Sequence, residues 1–237
     1  MRISENQLKK LIRNVILAEG AIKPDQLGDD FKVIIHNNGM RVWPLKSLGR
    51  VDLKQRFSHL DPNTIINMHC YTLQIKYKID HSKTLDPIFD HVGELEMRKW
   101  EGMCNDAWEI YWADVEDDYI DGGFGPLMYD VAMEISGEYG VMCDRNSVSN
   151  SAARVWDYYL KYRADVFTDD VDIDNCPSDM MSQGEEDQIR AGGESPWHQK
   201  VYLNTNTVAG KTTPTIDILN SLGRIEYTFS KRANKRQ

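Results

Sequence analysis

Apolar and polar positions along the chain alternate with two periods, and the period changes from segment to segment. Over residues 4–19, Leu8, Leu11, Ile12, Val15 and Ile16 recur at helical spacing, with Lys9, Lys10, Arg13 and Asn14 on the opposite side. Ser4 and Gln7 form a capping box, Ile3 and Leu8 a staple across it, and Gly20 a stop. An appended amphipathic helix is predicted over 1–19, followed by a polar linker over 20–30 that carries Pro24 and Gly28. Residues 33–36 and 40–43 flank Asn37-Asn38-Gly39, which predicts a hairpin. Leu73, Ile75, Tyr77 and Ile79 alternate at the strand period within 65–79. Further strands are predicted over 92–100, 107–115 and 141–143, and helices over 126–136 and 149–163, the second capped by Ser149. Residues 168–198 are polar and acidic and read as a long loop. A strand, helix and strand close the chain within 199–230, before a basic tail over 231–237. The order predicts an α/β (α+β) domain with a mixed, mostly antiparallel central sheet flanked by helices, its core spanning 31–167.

Composition narrows the partners. At 41% apolar and 27% charged, the 237 residues carry enough hydrophobic surface for one large core. The apolar runs fall far short of the roughly 20 residues a membrane span needs, so no membrane is expected. Lys9, Lys10 and Arg13 among the first apolar residues exclude a secretory signal. A net charge of −9 argues against nucleic acid, whose phosphates need a basic surface. The four cysteines, at 70, 104, 143 and 176, form no C-x-x-C pair; neither a disulfide framework nor a zinc knuckle is expected, and a reducing compartment fits.

The candidate chemistry lies at Val115-Glu116-Asp117-Asp118-Tyr119-Ile120-Asp121-Gly122-Gly123-Phe124-Gly125-Pro126. A strand runs into a glycine-rich turn and directly into a helix. Gly123 and Gly125 allow close backbone approach, Pro126 suits the first helical position, and the open N–H groups there make a ready pyrophosphate site. This segment resembles the acetyl-CoA loop of GNAT N-acetyltransferases, Arg/Gln-x-x-Gly-x-Gly/Ala, with Val115, Tyr119, Gly123 and Gly125 in frame and Ile120 standing where the family has Arg or Gln. The resemblance continues through the strand at 141–143 and through Ser149-x-x-Ala152-x-x-Val155-Trp156, and the run from Gly123 to Asp130 followed by Asp144-Arg145, this helix motif and Tyr159 resembles a GNAT-like family of tailed bacteriophages. It covers about a quarter of the chain. It implies acetyl-CoA as co-substrate, held by Val115, Ile120, Asp121, Gly122, Gly123, Phe124, Gly125, Pro126, Ser149 and Trp156, with no metal.

The resemblance also implies a base for the amine acceptor and a tyrosine that protonates the leaving thiolate. The tyrosine position falls on Trp156, an N–H donor far too weak as an acid, which leaves Tyr158 or Tyr159 on the same helix; Tyr159 is the candidate. Glu109 and Glu96 are the candidate bases. Strand alternation puts Glu109, Tyr111, Ala113 and Val115 on one face, and a carboxylate among Trp108, Tyr111 and Trp112 suits general-base work. Asp144-Arg145, just after the short strand, reads either as a site for an anionic substrate group or as a structural ion pair or cap for the following helix. Asp170-x-Asp172-x-Asp174 departs from a calcium loop, with Asn175 in place of its glycine and Met181 in place of its glutamate. Leu17-Ala18-Glu19 resembles the Leu/Ile-x-Glu cleavage site of prohead proteases in contractile-tailed phages, which implies a capsid-targeting peptide over 1–19, virion or prohead components as partners, and a protein acting in the host cytoplasm or packaged in the virion. The leading reading is an acyltransferase that moves acetyl from a CoA thioester to an amine; the alternatives are a non-catalytic virion-internal or host-interaction protein that keeps the fold and, against the acidic charge, an acyl-like modification of nucleic acid.

Overall fold

A computed structural model describes residues 22–44, 65–78, 89–210 and 212–229. The appended helix over 1–19 and the basic tail over 231–237 lie outside the described residues. The architecture is α+β: one eight-stranded mixed sheet flanked by helices, with strand order β6-β7-β5-β4-β3-β2-β1-β8. The strands are β1 (Phe31–Pro44), β2 (Ile65–Lys78), β3 (Phe89–Trp100), β4 (Trp108–Val115), β5 (Val141–Cys143), β6 (Val166–Asp170), β7 (Lys200–Asn204) and β8 (Ile225–Phe229); the helices are α1 (Phe124–Ser136), α2 (Asn150–Tyr162), α3 (Gln183–Arg190) and α4 (Pro214–Ser221). Neighbouring strands are antiparallel except for β4 with β5 and β1 with β8.

The hairpin expected at Asn37-Asn38-Gly39 is a bulge. Both halves of β1 pair with β2, and the register slips between Asn37↔Tyr71 and Met40↔His69. Gly39 takes the positive φ of 75° that a hairpin would also have used, and Asn37 closes the extra loop by accepting the Gly39 N–H at 2.9 Å. Asn38 then bonds across to Thr72 on β2 at 2.8 Å, so the chain continues forward instead of turning back. The linker expected over 20–30 is also partly anchored: Leu27 is 1% exposed and belongs to the main core.

That core lies between one face of the sheet and α1, where Leu73, Ile75, Leu95 and Met97 meet Leu127, Met128, Val131 and Ala132. Helix α1 is buried along nearly its whole circumference, including two carboxylates. Glu134 is satisfied by the start of α4: its two oxygens accept the N–H groups of Thr215 and Ile216, both at 2.8 Å. Asp130 accepts from Tyr159 and Arg163 of the α2 end.

The opposite face carries a second core around Trp100, Met142 and Val201. Residues 168–198, expected as a loop, form the strap over it. They contain the end of β6 and helix α3, and a disulfide joins Cys104 to Cys176 with Cα atoms 4.6 Å apart and 72 residues between them. This corrects the expectation of four unpaired cysteines; Cys70 and Cys143 remain as buried thiols. Of the aspartates in the segment that departs from a calcium loop, Asp170 pairs with Lys200 and Asp174 with Arg190.

Candidate functional site

Strands β4 and β5 pair over only three positions, Trp108↔Val141 to Ile110↔Cys143. β4 then runs on to Val115 while β5 stops, so the strands part. Above the gap, between the end of β4, the start of α1 and one side of α2, lies a cavity of about 820 Å³. A volume of this size suits a large cofactor.

The glycine-rich turn forms one wall. A 3-10 turn over Asp117–Tyr119 leaves β4, and Tyr119 then packs edge-on against Phe124 at 5.9 Å. Asp121 and Gly123 both have positive φ, 69° and 76°, which swings the chain sharply into α1. No side chain caps α1, so the N–H groups of Phe124 and Gly125 open on the cavity that both residues line. Pro126 stands at the third helical position, where it again costs no hydrogen bond.

The two motif glycines differ in what they do. A side chain on Gly123 would place its Cβ 2.6 Å from the Ile22 amide, which donates to the Gly123 carbonyl at 3.2 Å. With its positive φ as well, Gly123 is required by the fold. Gly125 has an ordinary helical φ, and its Cβ would meet only Val115, at 3.8 Å. Glycine in a helix costs up to about 1 kcal/mol relative to alanine, and nothing in the fold asks for it at 125.

Most expected cofactor residues come together here. Val115, Ile120, Asp121 and Gly123 line the cavity with Phe124, Gly125 and Pro126, and Ser149 lines it from α2. Ser149 is also the cap of α2, accepting the Ala152 N–H at 3.2 Å. Gly122 does not line the cavity; it lies beneath the Phe124 ring, which a Cβ would approach to 2.7 Å. Trp156 is also outside it, 1% exposed and packed against Tyr129 and Tyr202. Helix α2 shows the cavity a different stripe: Ser151, Arg154, Val155, Tyr158 and Tyr162. Arg154 is the one basic residue among the described lining residues, which also include Asp114 and Asp121. Its helical spacing from Ser151 and Tyr158 was the signal available in the sequence, which the assignment of the helix's inward face to Trp156 hid.

Neither expected catalytic residue faces the cavity. Tyr159 is 1% exposed; its hydroxyl lies 2.7 Å from Asp130 Oδ1 and 3.0 Å from the Pro126 carbonyl. Burial and the Asp130 charge push its phenol far above the ordinary tyrosine range, which removes it as a proton donor near neutral pH. Glu109 is on the wrong face. The register of β3 and β4 slips between Glu96↔Trp112 and Met97↔Ile110, so Tyr111 is an extra, bulged residue. A bulge reverses alternation beyond it: Ala113 and Val115 face the cavity side with Ile110, and Glu109 points to the strap. It is fully buried, with Oε2 accepting from Arg98 at 2.7 Å and Trp100 Nε1 at 3.2 Å, and Oε1 from the Arg145 amide at 2.9 Å. Burial works against the Arg98 charge, but Glu109 outweighs it and holds the guanidinium protonated. Glu96, the other candidate base, accepts from the Tyr111 hydroxyl on this same side.

Asp144-Arg145 resolves toward structure as well. Arg145 is fully buried, donating to the carbonyls of His198 and Cys176 and to Gln199 Oε1, and so fastens the returning strap. Among the described residues no helix is long and apolar enough to cross a membrane. No protein-family model matches the chain, and no curated protein or solved structure matches it.

Proposed function

We propose that the protein is a GNAT-like acyltransferase that holds acetyl-CoA in the cavity between β4, α1 and α2 and transfers the acetyl group to an amine. The observation that carries this reading is Gly125: a helical glycine that the fold does not need, beside two open N–H groups, in the wall of a large cavity. Its missing side chain leaves room for phosphate oxygens against the helix start, where the dipole favours negative charge. Ile120 stands where the family motif has a cation, and Arg154 supplies one from across the cavity. Ile120 and Tyr162, 54% and 72% exposed at its edge, offer apolar surface to an adenine ring. The gap between β4 and β5 gives the thioester arm a way into the sheet.

The second reading, a non-catalytic protein that keeps the cofactor fold, draws on the placement of Glu109 and Tyr159, both locked into buried structural bonds. Incubation of the full chain with acetyl-CoA and a panel of amines, followed by release of free CoA thiol, separates the two. Amine-dependent thiol release supports the transferase; acetyl-CoA binding with no release above background supports the second reading. The phage assignment, with action in the host cytoplasm or packaging in the virion, rests on the sequence of residues 1–19. A virion mass spectrum containing the chain cut after Glu19 would support it, and a virion without the protein would contradict it.

A further inference from the structure

Tyr129 lines the cavity from α1, yet it is only 3% exposed. Trp156 holds its ring edge-on with centroids 5.0 Å apart, and Tyr159 lies nearly parallel to it at 6.4 Å. A buried phenol normally finds a partner, as Tyr159 does with Asp130. The Tyr129 hydroxyl has no hydrogen-bond partner among the described residues. A phenylalanine would pack the same space without an unmade hydrogen bond. The fold therefore accounts for the ring of Tyr129 and leaves its hydroxyl without a purpose, on a wall of the cavity.

Its position says what that hydroxyl meets. Tyr129 follows Gly125 by one helical turn, a step of about 6 Å into the molecule. Tyr129 shares the core with Cys143, the last residue of β5, where β4 and β5 part. We propose that Tyr129 is a ligand-binding residue whose O–H donates to the thioester-bearing arm of the CoA molecule, one turn deeper than the phosphates at Gly125. This rests on the CoA reading above. Burial raises the phenol above its ordinary range, so it stays protonated and serves as a donor throughout the neutral range.

The test is calorimetric titration of the full chain and of Tyr129→Phe with two probes: acetyl-CoA, and the adenosine bisphosphate half of the cofactor, which lacks the arm. A melting curve of each protein accompanies it. The expected result is a melting temperature equal to or above wild type, an acetyl-CoA affinity about fivefold weaker, and unchanged affinity for the bisphosphate. Equal acetyl-CoA affinity in both proteins overturns the contact. So does a lowered melting temperature, which would mean the hydroxyl is bonded within the fold, or an equal loss for both probes, which would place Tyr129 at the phosphates. Wild-type protein that binds neither probe overturns the CoA reading itself, and this contact with it.

Discussion

The two faces of the central sheet treat polar groups in opposite ways. On the strap face, Glu109, Arg98 and Arg145 are buried, with Glu109 and Arg145 each bonded to two or more segments and Arg98 paired with Glu109. On the α1 face, the cavity wall includes backbone N–H groups without a side-chain cap and a phenol without a partner, beside Asp114, Asp121 and Arg154. The first arrangement holds a chain segment in place; the second leaves groups that the proposed cofactor would engage. Charge in the sequence pointed to Glu109 and Arg145 as chemistry, yet the structure puts them in the fastening. Of the groups that the proposed ligand would meet, the helix start is marked in the sequence by its glycines, while Tyr129 stands unmarked among apolar neighbours.

The sharpest way to break this comparison is to remove Glu109. Glu109→Ala strands Arg98 in the interior, and a buried pair broken on one side costs about 3–5 kcal/mol; urea unfolding should show a loss of that size. A variant of full stability that lost only activity would return Glu109 to the catalytic role. The disulfide tests the same face. Replacing both Cys104 and Cys176 by serine releases a closure of 72 residues, worth about 4 kcal/mol in the chain-entropy account. The fall should appear in urea unfolding while ligand binding on the other face survives.

Acid probes the strap more gently. Burial lowers the His198 pKa below its ordinary value, with Glu185 opposing. A depressed folded pKa means that His198 contributes stability above the unfolded value near 6.5. That contribution is lost as pH falls and the unfolded state takes up the proton, at no more than about 1.4 kcal/mol per pH unit. His198→Gln should flatten the stability profile between wild-type values at pH of about 7.5 and about 5.5; an unchanged slope would show that His198 does not titrate against the fold. On the cavity face, Arg154→Ala should weaken acetyl-CoA binding roughly fivefold and make it less sensitive to salt. Unchanged affinity would remove Arg154 from the phosphate site.

What was legible in the sequence was local. The limits of β5 and β8, the Ser149 cap and the glycine-rich turn each rest on signals within a few residues, and the structure places them there. What was hidden depends on a single residue or on distance. The bulge at Tyr111 inserts one residue and turns Glu109 to the other face, which alternation alone does not reveal. Asn37-Gly39 carries the same chemistry whether it turns a hairpin or swells a strand. The Cys104–Cys176 bond joins parts of the chain that no spacing rule connects. Helix α3 buries none of its residues and so has no apolar stripe; its capping box, Ser182 with Glu185, was the readable signal.

Calorimetric titration of acetyl-CoA into the wild-type chain, with Gly125→Glu as the control, tests the central claim most directly. Gly123 is unsuitable for that control because a side chain there would collide with the Ile22 backbone. At 125 the new Cβ has room, and a glutamate in the first turn of a helix does not harm it. The account predicts saturable binding to wild type and loss of binding to a variant that melts at the wild-type temperature. Equal binding by both proteins, or none by a folded wild type, would contradict it.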